Sequence, residues 1–455
     1  MPRKGALARG LVWLALAALC MAGGISVKNA ALPDTLGRVA CRYGGDGPSF
    51  EAVKTLREKM ADSALDGKAE GMVTAWAQEQ KAQITNAKLN ASTVADVLWV
   101  DGATRLIWPW KEVQGSLPVL GNARDCAIDA QTACYLFGST DVLGLKLEVN
   151  EVEYEIACVF ELPDGLAAWT ADPGYGLLLC PAAPLADPPP LQALDFTVFP
   201  RDAQQPKEWI TAWLNSSAMP QPLWADALWQ RQSLLSLAAA CGPCLLALFI
   251  LWALGKAIWR LIQATAGEAT ACLRNRSLPA SRGFQVWVIG LVGAGLLGAL
   301  VYLAASLAGF SPNIPPDYLP SRWSDLSFWP TLLSDAANGY AARRMTGALR
   351  PDMVYAHLCR LSALLSLFSV PLLGLARVRL RRLSPGQSWR KVAALLCGMA
   401  MVPLALWSVR RMGFPPAAPT GLLPLVVLFI AVALFVEGYP PAEQLIIYLH
   451  KEVSQ

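Results

Sequence analysis

Cys241-Gly242-Pro243-Cys244 is the run in this chain whose spelling points most directly to chemistry. Two thiols with two residues between them exchange disulfides when a helix start lowers their pKa values. Here Ala238 to Ala240 precede the pair, Leu245 and Leu246 follow it, and no Trp or Lys flanks it. The competing reading is a proline-kinked apolar helix with buried, inert cysteines. Cys241 and Cys244 thus stand as a candidate redox pair beside a packing role.

Other reaction classes lack their parts. The chain has two histidines, His357 and His450, too few for a His-based metal site or a Ser-His hydrolase. No GxxxxGK[ST] loop is present. The Gly-rich run from Gly290 to Gly295 lies in an apolar segment, where small residues serve helix packing rather than phosphates. Glu151, Glu153 and Glu155 share one strand face, which reads as solvated, and no partner for acid–base work can be named for them or for Asp125, Asp129, Asp164 and Asp172. Arg360 sits near the edge of an apolar run, where it either snorkels or serves a function. The reading is therefore non-catalytic, with no cofactor and no metal.

The elements that carry these residues are mostly membrane segments. The chain is 54% hydrophobic and 16% charged, against about 25% charged in ordinary soluble domains. Six apolar runs are long enough to cross a bilayer: Leu7 to Val27, Leu234 to Leu254, Val286 to Phe310, Val354 to Ala376, Val392 to Val409 and Gly421 to Val436, the last two near the short limit. The first is either a signal ending at Ala22-Gly23-Gly24 or a retained anchor, and its length favours the anchor. Lys and Arg counts place both termini inside. The segment 255–283 holds Lys256, Arg260, Arg274, Arg276 and Arg282 against Glu268 alone, and the stretch after the fourth run holds six basic residues from Arg377 to Lys391 and no acid. Arg410 and Arg411 fall on the wrong side of this scheme. These loops account for the net charge of +4 without a nucleic-acid partner. Gly290, Ala294 and Gly298 form a small-residue stripe for helix packing in the third run.

The expected organisation is an α-helical polytopic membrane protein of about six spans with an α+β exterior domain inserted after the first. Residues 1–27 are the anchor or signal and 28–232 the exterior domain. Residues 233–440 are a five-span domain with a cytoplasmic loop 255–283 and an exterior amphipathic loop 311–352, in which Trp323, Phe328 and Trp329 suit the headgroup region. Residues 441–455 are a cytoplasmic tail.

Within the exterior block, Ser49 starts a helix over Phe50 to Met60, and Met72 to Gln83 also reads as helical. Thr93 to Val100 reads as a strand with a turn at Asp101-Gly102. Asp129 caps a helix from Ala130 to Phe137 that ends at Gly138. A hairpin follows: Leu145, Leu147 and Val149 alternate with charges, Asn150-Glu151 turns, and Val152, Tyr154 and Ile156 alternate again. Leu194 to Phe199 is the expected last strand, and Glu208 to Leu214 a helix leading back to the membrane. Export permits disulfides, but Cys41, Cys126, Cys134, Cys158 and Cys180 are odd in number, so at least one stays unpaired within the block.

This order of elements resembles the exterior core domain of MacB-like, FtsX-type ABC transporter permeases, which also sits between the first and second spans. The resemblance runs from about Met72 to Leu162. It rests on Ala75-Trp76-Ala77-Gln78, Val97 to Gly102, Gly115-Ser116-Leu117-Pro118, Asp129, Ala133, Leu136-Phe137-Gly138, Val142-Leu143-Gly144, Tyr154 and Ile156 to Val159. Cys158 stands where that family has a glycine, and five spans are read after the domain where the family has three. The resemblance implies a non-catalytic, dimeric permease-like subunit in the plasma membrane, its exterior domain coupled to a cytoplasmic ABC ATPase. Lys256, Arg260, Arg274 and Arg276 are then the candidate ATPase contact. Two alternatives stay open: an envelope scaffold or sensor whose exterior domain binds a ligand or partner, and a membrane thiol-disulfide oxidoreductase resembling the quinone-linked DsbB class, using Cys241 and Cys244.

Overall fold

The computed structural model describes residues 6–31, 37–65, 70–108, 110–118, 124–162, 175–199, 206–274, 318–320, 322, 324–345, 349–380, 388–412, 422–431 and 433. Contacts divide the chain into two units. One is Ala30–Leu235 with Asn313–Cys359, and the other is Met1–Asn29 with Ser236–Pro312 and Arg360–Gln455.

The first unit holds a mixed sheet of ten described strands: β1 (Arg38–Arg42), β2 (Glu70–Asn86), β3 (Ala91–Asp101), β4 (Lys111–Gly115), β5 (Asp125–Asp129), β6 (Lys146–Val149), β7 (Val152–Glu161), β8 (Gly176–Pro181), β9 (Ala193–Phe199) and β10 (Trp224–Ala227). Their order is β10-β1-β9-β2-β3-β8-β5-β7-β4. The β3–β8 and β5–β7 pairs are parallel. Because β6 pairs with both β2 and β7, the strands β2-β3-β8-β5-β7-β6 close a circuit.

Met72 to Gln83, expected as a helix, is the body of β2. Its Ala, Gln and Met content favours helix, but side chains from Val73 to Gln78 are buried on both faces. Pairing on both edges and packing on both faces outweigh a propensity of tenths of a kcal/mol per residue, on the order given by peptide scales. A bulge between Glu79 and Ala82, with Lys81 at φ 56°, divides the strand. Its first half pairs with β9 and its end with β6.

Helix α1 spans Ala6–Ala31, α2 Phe50–Leu65, α3 Ala130–Phe137 and α4 Pro206–Ser216. Ser49 Oγ accepts from the Ala52 N–H at 3.3 Å, at the start of α2. α2 and α4 cover one sheet face, where Leu56, Met60, Ile210 and Trp213 meet Cys41 and Phe196. Two sequence expectations change here. α4 packs on the sheet instead of leading away from it, and β10 follows it, so β9 is not the last strand. α3 forms as read: Asp129 Oδ1 accepts from the N–H groups of Gln131 and Thr132 at 3.0 Å each, and Gly138 ends the helix at φ 75°. The hairpin turns at Asn150 (φ 50°) and Glu151 (φ 65°). Leu147, Val149, Tyr154 and Ile156 are buried, while Leu145, placed on the inner face by its alternation, is exposed just before β6.

The remaining helices are α5 (Leu228–Arg274), α6 (Phe328–Met345), α7 (Arg350–Leu380), α8 (Ser388–Arg411) and α9 (Leu422–Ala431). Three described segments are long and apolar enough to cross a membrane: Ala8–Lys28, Leu228–Lys256 and Arg350–Leu380. α8 contains the fifth apolar run, and α9 covers part of the sixth. The third run lies outside the described residues. α5 continues past Lys256 to Arg274, so the expected loop begins as helix. Ala is the commonest residue there, with Leu, Ile and Arg beside it, and Pro243 is the one proline in the helix.

Several contacts in the helical unit involve small residues. Ser362 Oγ donates to the Gly24 carbonyl at 2.8 Å, and a Cβ on Gly24 would lie 2.4 Å from Ser366 Oγ. A Cβ on Gly242 would lie 2.4 Å from Ser369 Oγ and 2.9 Å from Met21 Cγ. Ser362, Ser366 and Ser369 are buried, whereas Leu248, Trp252, Phe368 and Trp407 are exposed.

Candidate functional site

Alternation along the central strands puts apolar residues on the α2–α4 face and polar ones on the other. Val39 and Cys41 face the helices; Arg42, two residues after Ala40 and on the same face as it, points away from them. Arg42 lies opposite Trp224 across β1–β10. Asp195 and Trp76 follow on β9 and β2, on the diagonals that long side chains span.

These residues gather around one guanidinium. Arg42 Nη1 donates to Asp195 Oδ1 at 2.8 Å. Its Nε and Nη2 donate to the two carboxylate oxygens of Asp352 at 2.6 and 2.8 Å, a fork-to-fork pair. The guanidinium carbon lies 5.1 Å from the Trp76 ring centroid and 5.6 Å from that of Trp224. Trp76 Nε1 donates to Asp195 Oδ2 at 2.6 Å. Burial alone would lower the Arg42 pKa, but the charges of Asp195 and Asp352 reverse that and hold it above its ordinary value. Burial raises the Asp195 carboxyl, with Arg42 and the Trp76 N–H opposing and Asp352 adding to the rise. At Asp195 burial dominates, whereas at Arg42 the two carboxylates outweigh it.

A second buried arginine lies two residues before Asp352. The Arg350 N–H donates to Gln78 Oε1 at 2.7 Å, and its Nη1 donates to the Gly176 carbonyl at 2.9 Å and lies 3.6 Å from Asp96 Oδ2. Asp96 also accepts from the Lys81 N–H at the β2 bulge. The first turn of α7 is thus held by two ion pairs of opposite polarity, a cation into the sheet at Asp96 and an anion at Arg42. Among the described residues, the cleft beside Arg42, lined by Ile107, Trp108, Asp195, Asp352 and Tyr355, has a volume of about 20 Å³. That is room for about one water and too little for a small-molecule substrate.

The residues singled out from sequence lie elsewhere. Cys241 and Cys244 are free, half-buried thiols well inside α5, away from the helix start that activates such pairs. Gly242 between them packs closely against Met21 and Ser369, which gives the motif a packing role. Lys256 is exposed on α5, its Nζ 5.1 Å from the Trp252 ring. Arg260 and Arg274 lie on the same helix, with side chains outside the described residues. Arg276 and the Gly290, Ala294 and Gly298 stripe also lie outside them. Arg360 is exposed and His357 half-buried on α7. Asp129 does more than cap α3, since its Oδ2 accepts from the Leu177 N–H at 2.8 Å and ties β8 to β5. Cys158, in place of the glycine, is fully buried among Trp76, Phe160 and Leu179.

Sequence reasoning missed Arg42, Asp195, Arg350 and Asp352. Arg350 and Asp352 read as ordinary loop charges, and Arg42 and Asp352 are 310 residues apart. The available signal was a pair of opposite charges at the very start of an apolar run.

No protein-family model matches the chain, and no curated protein matches it. Among solved structures, the periplasmic region of MacB from Actinobacillus actinomycetemcomitans aligns over 42% of this chain and 89% of its own, at 13% identity and a TM-score of 0.30. The extracellular domain of the ABC-type transporter YknZ from Gram-positive bacteria aligns over 41% of this chain and 97% of its own, at 14% identity and a TM-score of 0.29. The three apolar helices and the mixed-sheet unit fit a membrane protein with an exterior domain.

Proposed function

We propose that this chain is the permease-like, non-catalytic membrane subunit of an ABC transport or mechanotransmission system. Its sheet unit lies outside the plasma membrane, and a cytoplasmic ATPase drives changes in that unit's posture. About six spans carry it, with both termini inside, and it works as a homodimer in the bilayer. The anchor, exterior, five-span and tail boundaries read from sequence are part of this proposal.

The observation that carries the reading is the double ion-pair lock on the first turn of α7. A helix apolar enough to cross a bilayer starts on Arg350 and Asp352, both tied to charged side chains buried in the sheet. A surface-bound loop needs no such anchorage, whereas an element that transmits force does. The order of elements supports the same reading: the Asp129-capped α3, Gly138 and the β6–β7 hairpin stand between the first and second apolar helices. In this reading the ATPase meets the basic residues Lys256, Arg260, Arg274 and Arg276, the first three of which belong to α5.

Affinity purification of the full chain tests this. A nucleotide-binding protein is expected to co-purify and to be lost when those four residues are changed to Glu. A purified wild-type chain with no ATPase partner, and an exterior domain that still binds a partner, would favour the scaffold or sensor reading.

A further inference from the structure

The five cysteines of residues 28–232 are sorted by the fold into separate surroundings. Cys41 lies under α2 and α4. Cys158 lies in the cluster around Trp76 and Phe160. Cys134 is exposed on α3. Cys126 and Cys180 share the remaining core, with Trp99, Tyr154, Ile128 and Leu178.

These last two belong to strands that pair antiparallel. Ala127 lies opposite Leu179 and Ile128 opposite Leu178, so one step further Cys126 lies opposite Cys180. Both side chains point to the same core, while Ala127, Leu177 and Leu179 line the other one. Both side chains are buried. Directly opposed antiparallel residues have Cα atoms about 4.5–5.5 Å apart, inside the range of about 4.4–6.8 Å that a disulfide spans.

We propose that Cys126 and Cys180 are a modification site, a cross-strand disulfide formed by exchange with a disulfide-donating thiol oxidoreductase. The inference rests on the reading that the sheet unit is exterior, where such donors act. One cysteine, as thiolate, attacks the donor's disulfide, forming a mixed disulfide and releasing one donor thiolate. The other, once deprotonated, attacks the protein's own sulfur in that mixed disulfide. The Cys126 Sγ–Cys180 Sγ bond forms and the second donor thiolate leaves. Two electrons pass to the donor, and the two thiol protons go to solvent. Burial raises the Cys180 thiol in the folded sheet, so exchange happens before β8 docks, and the finished bond is sheltered from reductant. The odd count then resolves as one bond and three thiols.

The full chain in its membrane is the sample. Cells are acid-quenched, denatured with a maleimide present and no reductant, and the purified chain is mapped by mass spectrometry. The expected result is a reducible peptide joining β5 to β8, with Cys41, Cys134 and Cys158 alkylated. In Cys126→Ala, Cys180 becomes fully alkylated. A membrane-impermeant maleimide on intact cells reports the compartment through exposed Cys134. If Cys134 is labelled from outside while Cys126 and Cys180 are both alkylated, the disulfide is overturned and the exterior reading stands. If Cys134 is labelled only after permeabilisation, the exterior reading has failed. Oxidised glutathione added to the solubilised chain in mild urea then decides the pair: closure upholds it, and two alkylatable thiols overturn it.

Discussion

The two units bury polarity in opposite ways. Among the described residues, the buried polar groups of the sheet unit include charged side chains, Arg42, Asp195, Arg350, Asp96 and Asp129, beside neutral ones such as Thr74 and Asn86. In the helical unit they are hydroxyls, Ser362, Ser366 and Ser369, while Leu248, Phe368 and Trp407 face outward. Water solvates an exposed charge and drives apolar groups inward, so a water-facing unit keeps a buried charge only when the fold pairs it. Lipid gives helices no apolar reason to associate, so they meet where glycine and serine allow close approach. Each unit thus carries the mark of its solvent, independent of charge counting in loops.

Removing one side of an ion pair breaks that contrast most sharply. Arg42→Met leaves Asp195 and Asp352 without their shared cation, a loss of about 3–5 kcal/mol for a buried pair. Thermal unfolding of the detergent-solubilised chain is expected to show it. The loss should shrink at lower pH, because protonating the carboxylates removes the uncompensated charge. A Tm unchanged from wild type would mean that the network is not buried in solution.

In the helical unit the corresponding defect is steric. Gly242→Val drives a side chain into Ser369 and Met21 and should cost about 1–3 kcal/mol, read as loss of folded protein on solubilisation. The Cys241→Ser, Cys244→Ser double variant should differ little from wild type. The opposite ranking would return the motif to thiol chemistry.

Alkaline pH probes the thiols buried in the sheet. Burial pushes Cys41 up to about 12 and Cys158 to about 11. An unfolded thiol ionises near 8.5, so between those values the unfolded chain has lost a proton that the folded one keeps. Stability is full below about pH 8.5 and then falls by about 1.4 kcal/mol per pH unit for each such group. A Tm series from neutral to alkaline pH checks this, and Cys41→Ala is expected to make the slope shallower. An identical slope in that variant would remove Cys41 from the account.

The surface offers the weakest lever. Lys146 and Glu153 pair at 3.2 Å across the hairpin, both about half exposed. Lys146→Ala should shift stability by less than about 1 kcal/mol, and a larger shift would show that the hairpin's charged face is covered.

Local signals made part of this legible in advance. The α3 cap, the Gly138 stop and the Asn150-Glu151 turn are set by residues adjacent in the chain, and they formed as read. β2 did not, because its helix-forming residues are overruled by strands β3, β6 and β9 that arrive from elsewhere. β10 is four residues long, too short for any alternation to stand out. The site was hidden for a stronger reason: a charge looks the same in sequence whether water or a buried partner compensates it.

By itself, then, the chain determined its apolar segments, the capped helix and the hairpin, since composition and nearest neighbours act over a few residues. Tertiary structure alone decided that Arg350 and Asp352 are anchors rather than loop charges, and that Gly242 rather than its flanking cysteines gives the motif its place. Both follow from contacts between elements far apart in sequence, where desolvation and steric fit have no local signature.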